Sequence, residues 1–209
     1  MLWMRHLVHA IVGGFILFAW AALAHIVLGL DTIGLKPLPG EARVLAGAQQ
    51  EVLEPGLYLF PGEALQPDLN LKEREEAMAR SMEKARSGPT GLLLWHPRGH
   101  DYLSNAQFAR EYVGNLLCAL LASVFLTLTT FRVTGFWART GFVTMLGAFA
   151  SFAVDLPLWN RYGFPSEFLL ASLFENLVGF TLVGLFLAWR MKPVLRIPAR
   201  PANKTRNGS

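Results

Sequence analysis

The stretch DLPLWNRYGFPSEF, residues 155–168, interrupts an apolar sequence that otherwise runs from Thr140 to Trp189. Pro157, Gly163 and Pro165 are residues that stop or restart a helix. Trp159, Tyr162 and Phe164 are rings of the kind that collect at the lipid headgroup level. Asn160 and Arg161, between them, require water. The stretch therefore reads as an interfacial turn, with Trp159, Asn160 and Tyr162 at the membrane surface. Pro157 is expected to end one helix, and Pro165, Ser166 and Glu167 to begin the next. One over-long run thus becomes two of spanning length, Thr140 to about Leu158 and Phe168–Trp189.

Two further runs, Leu7–Leu30 and Tyr112–Phe131, also reach the roughly 20 apolar residues that a bilayer core requires. The composition agrees: 53% of the residues are hydrophobic and only 16% charged, against about a quarter charged in soluble domains. The expected fold class is mainly α, a polytopic membrane protein with four transmembrane helices in a bundle. Residues 1–30 hold the first helix, 31–111 a small α+β extracytoplasmic lid, 112–189 helices two to four, and 190–209 a basic cytoplasmic tail. The triplet ALA before His25 is similar to a signal-peptide cleavage site, but the apolar run continues through HIVLGL, so an anchor is expected.

Basic residues in short flanks are retained on the cytoplasmic side. Arg5, Arg132, Arg139, Arg190, Lys192, Arg196, Arg200, Lys204 and Arg206 fall on one face, whereas the loop between the last two runs carries only Arg161. Both termini are therefore expected in the cytoplasm. The net charge of +4 is read as this topological signal, with the tail meeting anionic lipid rather than nucleic acid. The layout is similar to that of small integral membrane proteins of bacteria, which implies the inner (cytoplasmic) membrane.

Within 31–111, PGEARVLAGAQQEVLEPG predicts a short helix with Val44, Leu45, Ala48 and Val52 on one face. LKEREEAMARSMEKARSGP predicts a charged helix stopped by Gly88 and Pro89. LYLFPG and GLLLWHP read as short strands that pair with each other or lie against the membrane rim. The single cysteine, Cys118, lies in an apolar run, so no intrachain disulfide can staple this segment. Small residues four apart mark the helix faces expected to pack: Ala10 and Gly14; Gly114, Cys118 and Ala122; Gly147 and Ser151.

Polar groups at membrane depth are the candidate site. Measured at about 1.5 Å per residue from the flanking arginines, Asp155 lies about 24 Å above Arg139, Glu175 about 22 Å above Arg190, Asn115 about 25 Å above Arg132 and His25 about 30 Å above Arg5. Each helix thus offers one polar group to an outer layer, with Asn176 beside Glu175. Carboxylates at such depth face an interior, a wet cavity or a partner. The functional reading is an outward-facing polar pocket of His25, Asn115, Asp155, Glu175 and Asn176. The structural reading makes Asp155 a helix-end residue and Glu175 packing glue tied to Asn115. The inner half is expected to hold only His9 with scattered serines and threonines, which argues against a proton relay and so against a pump.

His96, His100 and Asp101 in HPRGHD are the nearest approach to a metal-ligand set, and Pro97 and Gly99 argue against the helix that would align them, so no metal is expected. Helices two to four contain no histidine, which disfavours haem, and no phosphate loop, dinucleotide fingerprint, HExxH, CxxC or GxSxG is present. No cofactor is expected, and the weight falls against an enzyme. The expected function is a non-catalytic accessory or scaffolding subunit of a larger membrane complex, in contact with the bilayer and with other subunits or further copies of itself. The alternatives are an enzyme or binding protein for a small or lipidic ligand and, after it, a transporter.

Overall fold

The computed structural model describes residues 2–129 and 131–191. It is mainly helical. α1 (Leu2–Ala22), α4 (Asn105–Thr129), α5 (Phe136–Tyr162) and α6 (Ser166–Arg190) are long and apolar enough to cross a membrane. Between α1 and α4 lie α2 (Glu41–Glu51), β1 (Gly56–Phe60), α3 (Leu71–Ser87) and β2 (Gly91–Trp95). The chain clusters into two compact units. Among the described residues, one holds 2–29, 109–129, 131–150 and 173–191; the other holds 30–108 together with 151–172. Of the tail basic residues, Lys192, Arg196, Arg200, Lys204 and Arg206 lie outside the described residues.

In the first unit all four long helices contribute to one core: Leu17 from α1, Ala122 and Leu126 from α4, Val143 from α5, and Val183 and Leu187 from α6. Lipid is as apolar as leucine, so close backbone approach rather than escape from water holds such helices together. A methyl group on Gly14 would sit 2.7 Å from Leu116 Cα, one on Gly147 2.6 Å from the Asn176 carbonyl oxygen, and one on Gly184 2.8 Å from that of Thr140. Ala10 and Ser151 are buried as their spacing predicted. Gly114 and Cys118 are not: nothing lies within 4 Å of a methyl on Gly114, and Cys118 is exposed. The inward face of α4 is instead Ala119, Ala122, Ser123 and Leu126, a stripe at helical spacing that leaves Gly114 and Cys118 to one side.

The second unit is built from local signals. Asn70 caps α3 through a reciprocal capping box with Glu73, the two bonds measuring 2.9 and 3.0 Å. Glu63, in a short 3-10 turn, pairs with Arg80 at 3.2 Å and with Lys84, clasping the turn to α3. β1 and β2 pair antiparallel from Gly56↔Trp95 to Phe60↔Gly91. Trp95 is buried and donates its indole N–H to the Val52 carbonyl at 2.9 Å, tying the sheet to the end of α2. α2 buries none of its residues, and Val44 is half exposed, so its predicted face is only partly covered by Leu45, Ala48 and Val52.

Residues 151–172 belong to this same unit. Pro157 does not end α5, which continues to Tyr162. Proline removes one backbone bond, to Ala153, and the turns on either side re-establish the helix, as they commonly do in membrane-spanning helices. The stop is Gly163, whose positive φ of 69° is the left-handed cap that glycine adopts freely. The Trp159 indole donates to Ser166 Oγ at 3.1 Å across the turn.

Candidate functional site

α1 does not end as a plain helix. Over Leu23–Val27 it widens into a π turn, with the Leu28 amide bonding to the Leu23 carbonyl at 3.1 Å. Such bulges rotate the following side chains and recur at functional sites. Here the turn presents His25, whose Nε2 lies 3.0 Å from Glu175 Oε1 on α6; the side chains are 38% and 24% exposed. One turn earlier, the Trp20 indole donates to the main-chain oxygen of Glu175 at 2.9 Å. Gly179 makes room for it, since a methyl there would meet Trp20 Cδ1 at 3.0 Å. Phe174 stands edge-on to the same indole. Glu175 is thus held by α1 through both its backbone and its carboxylate.

Asn115 does not join this pair. The antiparallel register of α1 and α4, set by His6 against Ser123 and Gly14 against Leu116, places it opposite Gly14, roughly 16 Å down α1 from His25. The tie between Glu175 and Asn115 is therefore not made, and Asn115 Nδ2 is buried with no hydrogen-bond partner among the described residues. The ruler failed because its zeros differ: Arg132 lies about eight residues, or roughly 12 Å, beyond the point of α4 opposite Arg5. Asn176 is half-buried, with its carbonyl against Gly147. In the other unit, Asp155 is buried and accepts a 2.6 Å bond from Ser172 Oγ, the next helix's hydroxyl.

Trp159, Asn160 and Tyr162 are all exposed. His96 and His100 stack with ring centroids 5.0 Å apart, and Tyr102 stands edge-on to His100. Asp101 spends Oδ1 on the Leu103 amide at 3.0 Å. Among the described residues no three His, Cys, Asp or Glu side chains come together as a metal site.

Sequence reasoning missed a second polar cluster. His6 Nδ1 lies 3.0 Å from Ser123 Oγ, with both residues buried. His9, also buried, has Nδ1 without a partner among the described residues and its ring edge-on to Phe186. Arg139, one of the flanking arginines that mark the cytoplasmic side, is only 2% exposed and donates through Nη1 to the Ala188 carbonyl at 3.3 Å. The signal for the histidines was present: His6, His9, Ala10 and Gly13 recur at the spacing of one helix face. Nothing in the sequence distinguished Arg139 from Arg132. No protein-family model, curated protein or solved structure matches this chain.

Proposed function

We propose that this membrane protein is a non-catalytic accessory or scaffolding subunit, its four spanning helices forming a bundle and residues 31–111 a lid on the extracytoplasmic side. Both termini are assigned to the cytoplasm on the distribution of arginine and lysine in the short flanks, and the membrane is proposed as the bacterial inner membrane on the similarity of the layout to that of small integral membrane proteins of bacteria.

One observation carries the reading. Because side chains alternate across a strand and paired residues share a face, Leu57, Leu59, Leu92 and Leu94 all stand on one face of the two-stranded sheet. Leu57 and Leu94, directly opposite each other, are 68% and 63% exposed. A leucine face outside the spanning helices is the kind of surface that a partner protein covers. The polar groups fit a supporting role, since Glu175 is matched by His25 and Asp155 by Ser172. Transport is disfavoured because α1 carries no ionisable residue between His9 and His25, nor α5 between Arg139 and Asp155.

The test is the size of the particle extracted in mild detergent, for the parent and for Leu57→Glu and Leu94→Glu. A complex larger than the single chain, reduced to the single chain by both variants with hydrogen exchange in β1 and β2 preserved, is expected. A parent that runs alone, with variants indistinguishable from it, removes the subunit reading. Impermeant thiol labelling of single cysteines at Asn160 and Arg132, in a Cys118→Ser background, tests orientation: only the first is expected to react in intact cells.

A further inference from the structure

The second unit contains an open cleft of about 470 Å³, within the size range of small-ligand sites, roughly 300–1,000 Å³. Phe60, Met78, Met82 and Tyr162 supply most of its apolar wall, and the Phe60 ring lies over the backbone of Gly91, where a methyl group would come within 2.7 Å of it. Methionine side chains are unbranched and adaptable, suited to a flexible chain rather than to one rigid shape.

Arg161, Ser81 and Thr90 break this wall, and the first two bear on what it holds. Arg161 is the only charged residue in the lining, with no aspartate or glutamate to oppose it. It is exposed and makes no hydrogen bond or ion pair among the described residues. Ser81, nine-tenths buried, lines the same cleft, and its hydroxyl has no partner among the described residues. The fold satisfies neither group. Arg161 and Tyr162 sit in the last turn of α5, beside Trp159, at the end of a helix long enough to span a membrane. On the proposed topology that is headgroup level, where the bilayer itself supplies amphiphiles.

We propose that this cleft binds a single-chain anionic lipid, with the carboxylate or phosphate head on Arg161 and the acyl tail along Met78, Met82 and Phe60. Arginine matches either head group through its planar fork of N–H donors. At about 470 Å³ the cleft lies toward the lower part of the range for small-ligand sites, which favours a single-chain amphiphile over a two-chain lipid. The cleft shares Leu59 with the leucine face of the sheet but is not lined by Leu57 or Leu94, so the proposal stands whether or not a partner subunit exists.

Native mass spectrometry of the full chain in mild detergent, titrated with palmitate, a monoacyl glycerol phosphate and hexadecanol, tests it. The two anions are expected to bind one per chain and to compete, with the alcohol at least tenfold weaker. Arg161→Gln is expected to weaken the anions at least tenfold and leave the alcohol unchanged. Met82→Trp, placing a large ring at an exposed position of the wall, is expected to weaken all three; Ala85→Leu is the second blocking variant should hydrogen exchange show that the first disturbs α3. Anion and alcohol binding that is equal and indifferent to every variant means partition into detergent and overturns the proposal. Competition by inorganic phosphate at concentrations comparable to palmitate means a bare anion site and overturns it as well.

Discussion

If the His25–Glu175 pair holds the end of α1 to α6, its two partners should differ in what their removal costs. At 3.0 Å two unit charges would attract by several kcal/mol for an effective dielectric of about 20, and an uncharged imidazole donating its N–H would give about 1 kcal/mol. Both side chains are partly exposed, however, and solvent screening brings the net contribution to about 1 kcal/mol. Glu175→Gln keeps an acceptor in reach of His25 and leaves an imidazole that is 38% exposed, so about 1 kcal/mol is lost. His25→Ala instead leaves a carboxylate, 24% exposed, in a spanning helix without its partner. The cost of an unpartnered carboxyl group there is on the order of 2–3 kcal/mol. For a chain of this length about 2–4 °C of midpoint accompanies each kcal/mol. Thermal unfolding in mild detergent, followed by helical circular dichroism, should therefore show His25→Ala lowered by roughly 4–12 °C and Glu175→Gln by roughly 2–4 °C. The double variant should lie closer to Glu175→Gln than to the sum, because the stranded carboxylate has gone. Two single variants with equal midpoints, or a strictly additive double, would refute the argument.

Helix packing makes a sharper contrast. Gly14→Ala, whose methyl would meet Leu116 Cα at 2.7 Å, should cost about 1–3 kcal/mol of stability, while Gly114→Ala, with nothing within 4 Å, should be neutral or slightly stabilising in the same melting experiment. Lys84 and Arg80 hold the Glu63 carboxyl below the usual glutamate range; a depressed folded value means that the clasp is complete above the ordinary range, about pH 4, and is lost as pH falls below it. Hydrogen exchange at Glu63–Leu65 should therefore rise on acidification, and Glu63→Gln should reproduce the rise at neutral pH with the global midpoint unchanged. Residues 31–111 expressed alone lack 151–172, against which Gly34 packs through Pro165 and Phe168, so they should show no cooperative exchange protection; strong protection of the isolated segment would contradict this.

Pro157 was a false stop for α5, which ends at Gly163, but the four apolar runs, the two short helices and the two strands were legible because each depends on its own residues: spanning length on a count of apolar side chains, the end of α3 on Gly88. None of these needs a neighbour. What required the tertiary structure was rotation and level. Cys118 and Ala122 share a four-residue spacing, yet only Ala122 is buried, because α1 and α6 choose which stripe of α4 is covered. Glu175 meets His25 rather than Asn115 because the offset between α1 and α4 follows from where Gly14 admits Leu116, and counting from flanking arginines assumes a common zero that packing does not respect. Arg139 is buried and Arg132 is exposed for the same reason. Likewise, only the folded chain joins 151–172 to 30–108, bringing Arg161 to the cleft beside Ser81 and Met82. A local pattern states what a residue can do within its own element, and the approach of a second element, set by volume and backbone clearance, decides which side chain it meets.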